Sequence, residues 1–408
     1  MAGCDMLIVQ APLTEFGCKL FGKNADLPRE DVQWLATAQA QDHPQGAHVK
    51  CTFISVPQVC HTYGWVASQP SWSWGIEMGA NEHDVIIGSV ALGSRLRDLT
   101  DRTQRLLDLD CNRLALERSR TADEAVDVIS KLIQRYGQGG MMSPNDAHGD
   151  SYDSAYIVLD RHHAWLLETT EYYWAARRIT DPWFNISNHM TITTNYDRLC
   201  DKIEGVCVEK GLWDAKAGVK FNWAQSVGLV NKDWVTEERK RNGECFMENL
   251  VHQREAGCIT IKDVAMFFRD PGSFVENGQI CRGMDTEVTT VSTMLNIVPT
   301  TPNISPLHLF TLTPDPSKSM LKPLIFGANT DFALDIVGQE SADSSQQHRL
   351  YKAHQDDPCV NIDGMRDMEH KYVHKYMQCV KSVTDVPSEA STWFRQAAMA
   401  EMSMHTVK

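Results

Sequence analysis

The sequence predicts an α+β fold in which two antiparallel sheets carry helices on their outer sides. Three observations point there. Short strand-like runs fill the first 100 residues, amphipathic helical patterns follow, and strands return near residue 154. Successive strands are separated by short turn-like segments, which suits antiparallel pairing and is too short for a parallel crossover. The strands come in blocks set apart by helices, which favours layers over alternating βαβ units.

The elements follow in order. Met6–Pro12 is a short apolar run and Lys19–Gly22 follows a Glu15-Phe16-Gly17 turn, so the two form a β-hairpin. Residues 50–56 and 61–67 are rich in β-branched and aromatic side chains and are predicted as strands. Trp72–Gly79 and Val85–Val90 flank a turn-like segment, Ala80–Asp84. Thr121 and Glu124 make a capping box, in which the hydroxyl takes the third helical amide and the carboxylate reaches back. Behind it Ala125, Ile129, Leu132, Ile133 and Tyr136 share one helical face, and Gly137 closes the helix. Strands resume at Ser154–Leu159, Ala164–Glu168 and Tyr173–Ile179, the first two joined through Asp160–His163. Ile186–Thr194 is expected to be another strand. Residues 200–280 read as mainly helical, most clearly over Ile261–Arg269, and Val288–Val298 and His308–Thr313 as strands. Gly338–Asp357, rich in Ser, Gln and Asp, is expected to be a mobile connection. Two helices, Met365–Val383 and Ser388–Met402, end the chain.

Composition excludes several functions. The chain has 408 residues, 42% hydrophobic and 23% charged, enough for one large or two ordinary cores. With a net charge of −14 it has no basic surface for nucleic acid. Its densest basic run, Glu237–Arg241, is mixed in sign and reads as a solvated face. No stretch approaches the ~18 apolar residues of a membrane span. The N-terminus lacks the basic region of a secretory signal, so a cytoplasmic protein is expected. The 12 Cys include no Cys-x-x-Cys pair, which argues for reduced, mostly buried thiols. No cofactor and no metal site is expected, and His148, Asp150 and Asp153 read as loop composition.

Four features carry chemistry. Cys4 follows only Met1, Ala2 and Gly3 and precedes a strand. If those three residues leave, Cys4 gains a free α-amine, which titrates near ~7.7–8.0 and can take the proton of its own thiol. Lys23 and Asp26 would end near Cys4 through the hairpin, the first as a positive charge and the second as an acceptor for the ammonium. Asn81 and Asn188 each carry an amide that could donate to a developing oxyanion, though Asn is equally at home in a turn.

Taken together, CDMLIVQAP, FGKNAD and WGIEMGANEH, at these spacings, resemble the secernins. YGQGG, SAYIVLDRHHAWLLET, YYWAARRI and TPDPSKSMLKPLIF extend the resemblance to about residues 4–330. Secernins are similar to cysteine dipeptidases and, more distantly, to penicillin V acylases and bile salt hydrolases. The resemblance implies the αββα four-layer sandwich of N-terminal nucleophile hydrolases. It implies a propeptide at 1–3, the hydrolase domain at 4–335, and a polar connection with a helical C-terminal extension at 336–408. It also implies roles: Cys4 as nucleophile with its freed amine as base, Asp26 holding that amine, Asn81 completing the oxyanion hole, and Asn188 as a second active-site Asn. Lys23 stands where acylases and bile salt hydrolases carry Arg, keeping the charge without the bidentate fork. The expected activity is a cysteine-dependent amide hydrolase acting on dipeptides or other small amides. The alternative the resemblance carries is a weakly catalytic or non-catalytic regulator of secretion and exocytosis that acts through protein partners. Self-association is a further expectation from relatives of this fold.

Overall fold

A computed structural model describes residues 3–98, 100–141, 151–229, 237–284, 286–327, 329–338, 348–356 and 361–405. Strand β1 (Asp5–Val9) pairs with β2 (Lys19–Pro28) as the expected hairpin, with Asp5 opposite Asn24 and Met6 opposite Lys23. The next strands are β3 (Gln33–Ala38), β4 (Trp65–Pro70), β5 (Met78–Asn81) and β6 (Ile86–Leu92). Then come β7 (Asp153–Leu159), β8 (Ala164–Thr170), β9 (Tyr173–Arg178), β10 (Trp183–Ile186) and β11 (Arg198–Leu199). The last are β12 (Val288–Val298), β13 (Leu307–Phe310) and β14 (Lys322–Leu324). One sheet runs β10-β1-β2-β12-β13-β14 and the other β11-β9-β8-β7-β6-β5-β4-β3, both antiparallel throughout.

The sheets face each other, and helices cover both outer faces. Helices α1 (Asp108–Arg118) and α2 (Ala122–Tyr136) lie on the eight-stranded sheet. Helices α3 (Glu237–Gln253), α4 (Ile261–Phe268), α5 (Arg349–Asp356), α6 (Ile362–Ser382) and α7 (Trp393–His405) complete the chain. Of these, α3, α4, α6 and α7 lie on the six-stranded sheet. The architecture is therefore the αββα four-layer sandwich. Strand alternation explains why β1 is apolar from Met6 to Val9: Met6 and Ile8 enter the core between the sheets, while Leu7 and Val9 enter a second core under the outer helices. Among the described residues no helix is long and apolar enough to cross a membrane.

The α2 start is half of the expected capping box. Thr121 Oγ1 accepts from Glu124 N at 3.2 Å, but the Glu124 carboxylate takes the N–H of Arg120, at 2.7 Å. Gly137 closes the helix at φ 71°.

Three expectations are corrected. Residues 50–56 form no single strand: His48–Lys50 and Ser55–Pro57 pair around a turn closed by Cys51 N to Ile54 O at 2.9 Å. The strand expected over 186–194 ends at Ile186, because Asn188 turns left-handed (φ 55°) and the amides of Thr191 and Ile192 go to the Glu168 carboxylate. Gly338–Asp357 is in part the helix α5, anchored by buried Tyr351, whose hydroxyl donates to Arg29 O at 2.8 Å. The segment expected as an extension, 336–408, thus supplies much of the helical layer on the six-stranded sheet: Tyr376 and Trp393 are buried beside Leu20 and Leu309.

Candidate active site

Cys4 immediately precedes β1 at the edge of the core between the sheets and is 7% exposed. The β1–β2 register brings Lys23 and Asp26 to it. Burial pushes the Cys4 thiol up to about 12. Lys23 pulls against burial, the Glu77 and Asp26 carboxylates add to it, and the backbone N–H of Asp26 again favours the thiolate.

Lys23 is fully buried and pairs with the Glu77 carboxylate, also donating to Glu77 O at 3.1 Å. Burial alone would lower its pKa, but Glu77 and the Cys4 thiol outweigh it and the net direction is upward. Room for this side chain comes from Gly88, where a Cβ would lie 3.0 Å from Lys23 Cδ. Asp108, bonded by Ser89 Oγ at 2.7 Å, is pushed up to about 6 by burial and by the nearby Glu77.

Asp26 is fully buried and accepts from Thr290 Oγ1 at 2.7 Å and from an Arg239 terminal nitrogen at 3.1 Å. Arg282 Nε lies 3.5 Å from the same carboxylate. Burial raises the Asp26 pKa above its ordinary value, against the pull of the two guanidinium groups.

Arg239 is the residue that sequence reasoning missed. It belongs to the run read as a solvated face, yet it is buried and its guanidinium pairs with Asp5 as well as Asp26. It also donates to the Gly3 carbonyl at 3.2 Å and to Asn188 Oδ1 at 3.4 Å. A signal existed: Arg239, Asn242, Gly243, Met247 and Leu250 are the buried face of α3, at helical spacing. Gly3 is tight against this cation. A Cβ there would lie 2.1 Å from an Arg239 terminal nitrogen and 3.0 Å from Asn188 Oδ1.

Asn188 reaches the site through Arg239 and donates its own amide to Ala91 O at 2.9 Å. Asn81 does not reach it. Its amide donates to Leu116 O at 2.9 Å and Ser119 O at 2.8 Å, and its oxygen accepts from the N–H groups of His83 and Val85. It stands at the end of β5 remote from Glu77, roughly 13 Å along the strand. The oxyanion role expected of Asn81 is therefore corrected: the side chain clamps the β5–β6 turn to the end of α1. Thus Cys4, Lys23, Asp26 and Asn188 converge, with Arg239, Glu77, Asp5 and Arg282 added.

Asp153 takes Arg97 Nε at 2.8 Å, whereas His148 and Asp150 lie outside the described residues. His354, Glu401 and His405 are clustered with ligand-type atoms within 4.8 Å of one another. The Glu401 carboxylate, however, already holds Lys322 Nζ at 2.6 Å, Met320 N at 2.8 Å and His354 Nε2 at 2.9 Å.

No family model matches the chain. Among solved structures it is similar to the C2A mutant of a conjugated bile acid hydrolase from Clostridium perfringens, with 12% identity over 79% of this chain and 92% of that one (TM-score 0.45). It is also similar to a penicillin V acylase from Agrobacterium tumefaciens, with 12% identity over 79% and 86% (TM-score 0.40). A third is the N-acylethanolamine-hydrolyzing acid amidase ortholog of Caenorhabditis elegans, with 12% identity over 74% and 94% (TM-score 0.36). The layer order described above rests on this chain's own strands and contacts.

Proposed function

We propose that the chain is a cysteine-dependent amide hydrolase of secernin type whose nucleophile is Cys4, freed by removal of residues 1–3, and whose substrates are dipeptides or similar small amides. The observation that carries this is the grip on the Gly3–Cys4 peptide. Cys4 sits between buried Lys23 and Asp26, and Arg239 holds the Gly3 carbonyl oxygen at 3.2 Å. Once residues 1–3 leave, that position is open to a substrate carbonyl. The motifs that resemble those of the secernins support the same reading.

The steps follow from the groups present. The freed α-amine takes the thiol proton, and the sulfur attacks the scissile carbonyl. Arg239, in place of Asn81, faces the oxyanion of the tetrahedral intermediate. The α-ammonium returns its proton to the leaving amine as the C–N bond breaks, leaving a thioester on Cys4. Water, deprotonated by the same amine, attacks the thioester and releases the acid. Asp26 anchors Arg239 and is assigned to hold the ammonium.

The test combines the mass of the N-terminal peptide with a dipeptide hydrolysis assay. A chain beginning at unmodified Cys4, active on dipeptides and silent as Cys4→Ala, is expected. Undiminished turnover by Cys4→Ala would overturn the reading. Retention of residues 1–3 together with no turnover would turn attention to a binding role in secretion.

A further inference from the structure

We infer that Arg282 is the substrate-anchoring cation of this site and recognises a carboxylate close to the scissile amide, as on the C-terminal residue of a free dipeptide. The inference rests on the hydrolase reading above and names what that site selects.

Among the described residues three cations surround Cys4; Lys23 is spent on Glu77, and Arg239 is assigned to the oxyanion. Lys23 is fully buried and committed to Glu77 through both its carboxylate and its carbonyl. The Arg239 side chain is 2% exposed and committed to Asp5, Asp26, Gly3 O and Asn188. Arg282 differs on both counts. Its side chain is 23% exposed, and among the described residues its guanidinium meets only Asp26, from Nε at 3.5 Å. A guanidinium has five N–H donors in a planar fork, so both terminal nitrogens remain for a ligand. Such a fork matches a carboxylate with two parallel hydrogen bonds.

The position of Arg282 is fixed by its backbone. Its N–H donates to Thr290 Oγ1 at 3.1 Å, and its carbonyl accepts from Thr290 N at 3.0 Å and Thr289 Oγ1 at 2.9 Å. Thr290 in turn holds Asp26. One strand start therefore sets both the Asp26 carboxylate and the Arg282 fork on the Cys4 side of the sheet. A freed Cys4 ammonium would give Asp26 another cationic partner and leave the Arg282 fork more available. In a free dipeptide the terminal carboxylate is one carbon from the scissile nitrogen, close enough for one site to hold both.

The experiment compares kcat/KM for alanyl-alanine and alanyl-alaninamide, using the intact protein, Arg282→Gln and Arg282→Lys. The intact protein should prefer the free carboxylate by on the order of tenfold or more, as loss of a charged hydrogen bond implies. Arg282→Gln should bring the ratio near one, mainly through KM for the dipeptide, and Arg282→Lys should restore part of it. Turnover by the intact protein without this preference, or a preference undiminished in Arg282→Gln, overturns the inference and leaves the hydrolase reading standing. Absence of turnover on dipeptides and amides alike, in a chain beginning at Cys4, overturns both.

Discussion

Burial keeps the Cys4 thiol protonated at neutral pH, since its pKa is pushed up to about 12, and only a base within reach can change that. While Gly3 acylates the Cys4 nitrogen, no α-amine is available there. Alkylation of Cys4 by iodoacetamide at pH 7.5 should therefore be slow in a chain that keeps residues 1–3, and at least about tenfold faster in one beginning at Cys4. Peptide mass mapping of a time course measures this; equal rates would remove the amine from the mechanism. Arg239 carries a second prediction. Replacing it with Met strands the buried Asp5 and Asp26 carboxylates with less compensation, which should cost about 3–5 kcal/mol by urea unfolding. The residues near Cys4 in sequence were legible because the hairpin that unites them is local. Arg239 was not, because its neighbours Glu238, Lys240 and Arg241 are all charged and of mixed sign and hide one buried position in a charged run. Asn81 was misassigned for a different reason: an amide that can donate to an oxyanion can equally cap a helix end, and composition does not say which.

At the scale of elements, the segment after β10 shows how a side chain overrides strand propensity. Residues 186–194 have β-branched composition, but the Glu168 carboxylate on β8 takes Thr191 N at 2.6 Å, Thr191 Oγ1 at 3.0 Å and Ile192 N at 3.3 Å. The cross-chain hydrogen bonds outweigh the local pattern, which no window of sequence reports. The same bonds fix the turn that follows Asn188. Burial pushes Glu168 up to about 7, while the Thr191 and Ile192 donors oppose it. The folded state thus holds this proton where the unfolded chain, with an ordinary carboxyl, has lost it. The contribution of Glu168 to stability is fully present below about pH 4 and declines as pH rises through about 7. Glu168→Gln should flatten this decline, so that urea midpoints of the two proteins diverge between pH 5 and 8 in favour of the variant. Parallel pH profiles would show that Glu168 titrates normally. The hairpins β1–β2 and β7–β8 and the helix α2 needed no such long-range information, since turn chemistry, capping and period agreed locally.

Across the whole molecule, two cores share the six-stranded sheet, and the C-terminal helices close the outer one. Leu7, Val9, Leu295 and Ile297 point away from the Cys4 face, toward the core that Tyr376, Trp393 and Ala397 help to seal. The Cys4 site and the far C-terminus are therefore coupled through opposite faces of the same strands. A chain ending at residue 335 would expose this apolar face, and it should aggregate rather than fold as a soluble hydrolase domain. A milder break tests the same coupling. The Lys322 ammonium on β14 and the Glu401 carboxylate on α7 are both fully buried, 2.6 Å apart. Burial would raise the Glu401 pKa, but Lys322 and His354 hold it down at about 2. Because the folded value is depressed, this contribution is present above the unfolded value near ~4.3 and is lost as pH falls toward 2. Lys322→Met should leave Glu401 with its ammonium partner gone and cost about 3–5 kcal/mol, whereas Lys322→Met with Glu401→Leu should recover only part of it, because Met320 N and His354 then lose their acceptor. Urea unfolding of the single and double variants, read beside Cys4 alkylation, decides the point. If the single variant loses stability and its Cys4 also becomes more reactive, the outer core supports the site through the sheet. If stability falls while Cys4 reactivity stays unchanged, the two faces are energetically separate.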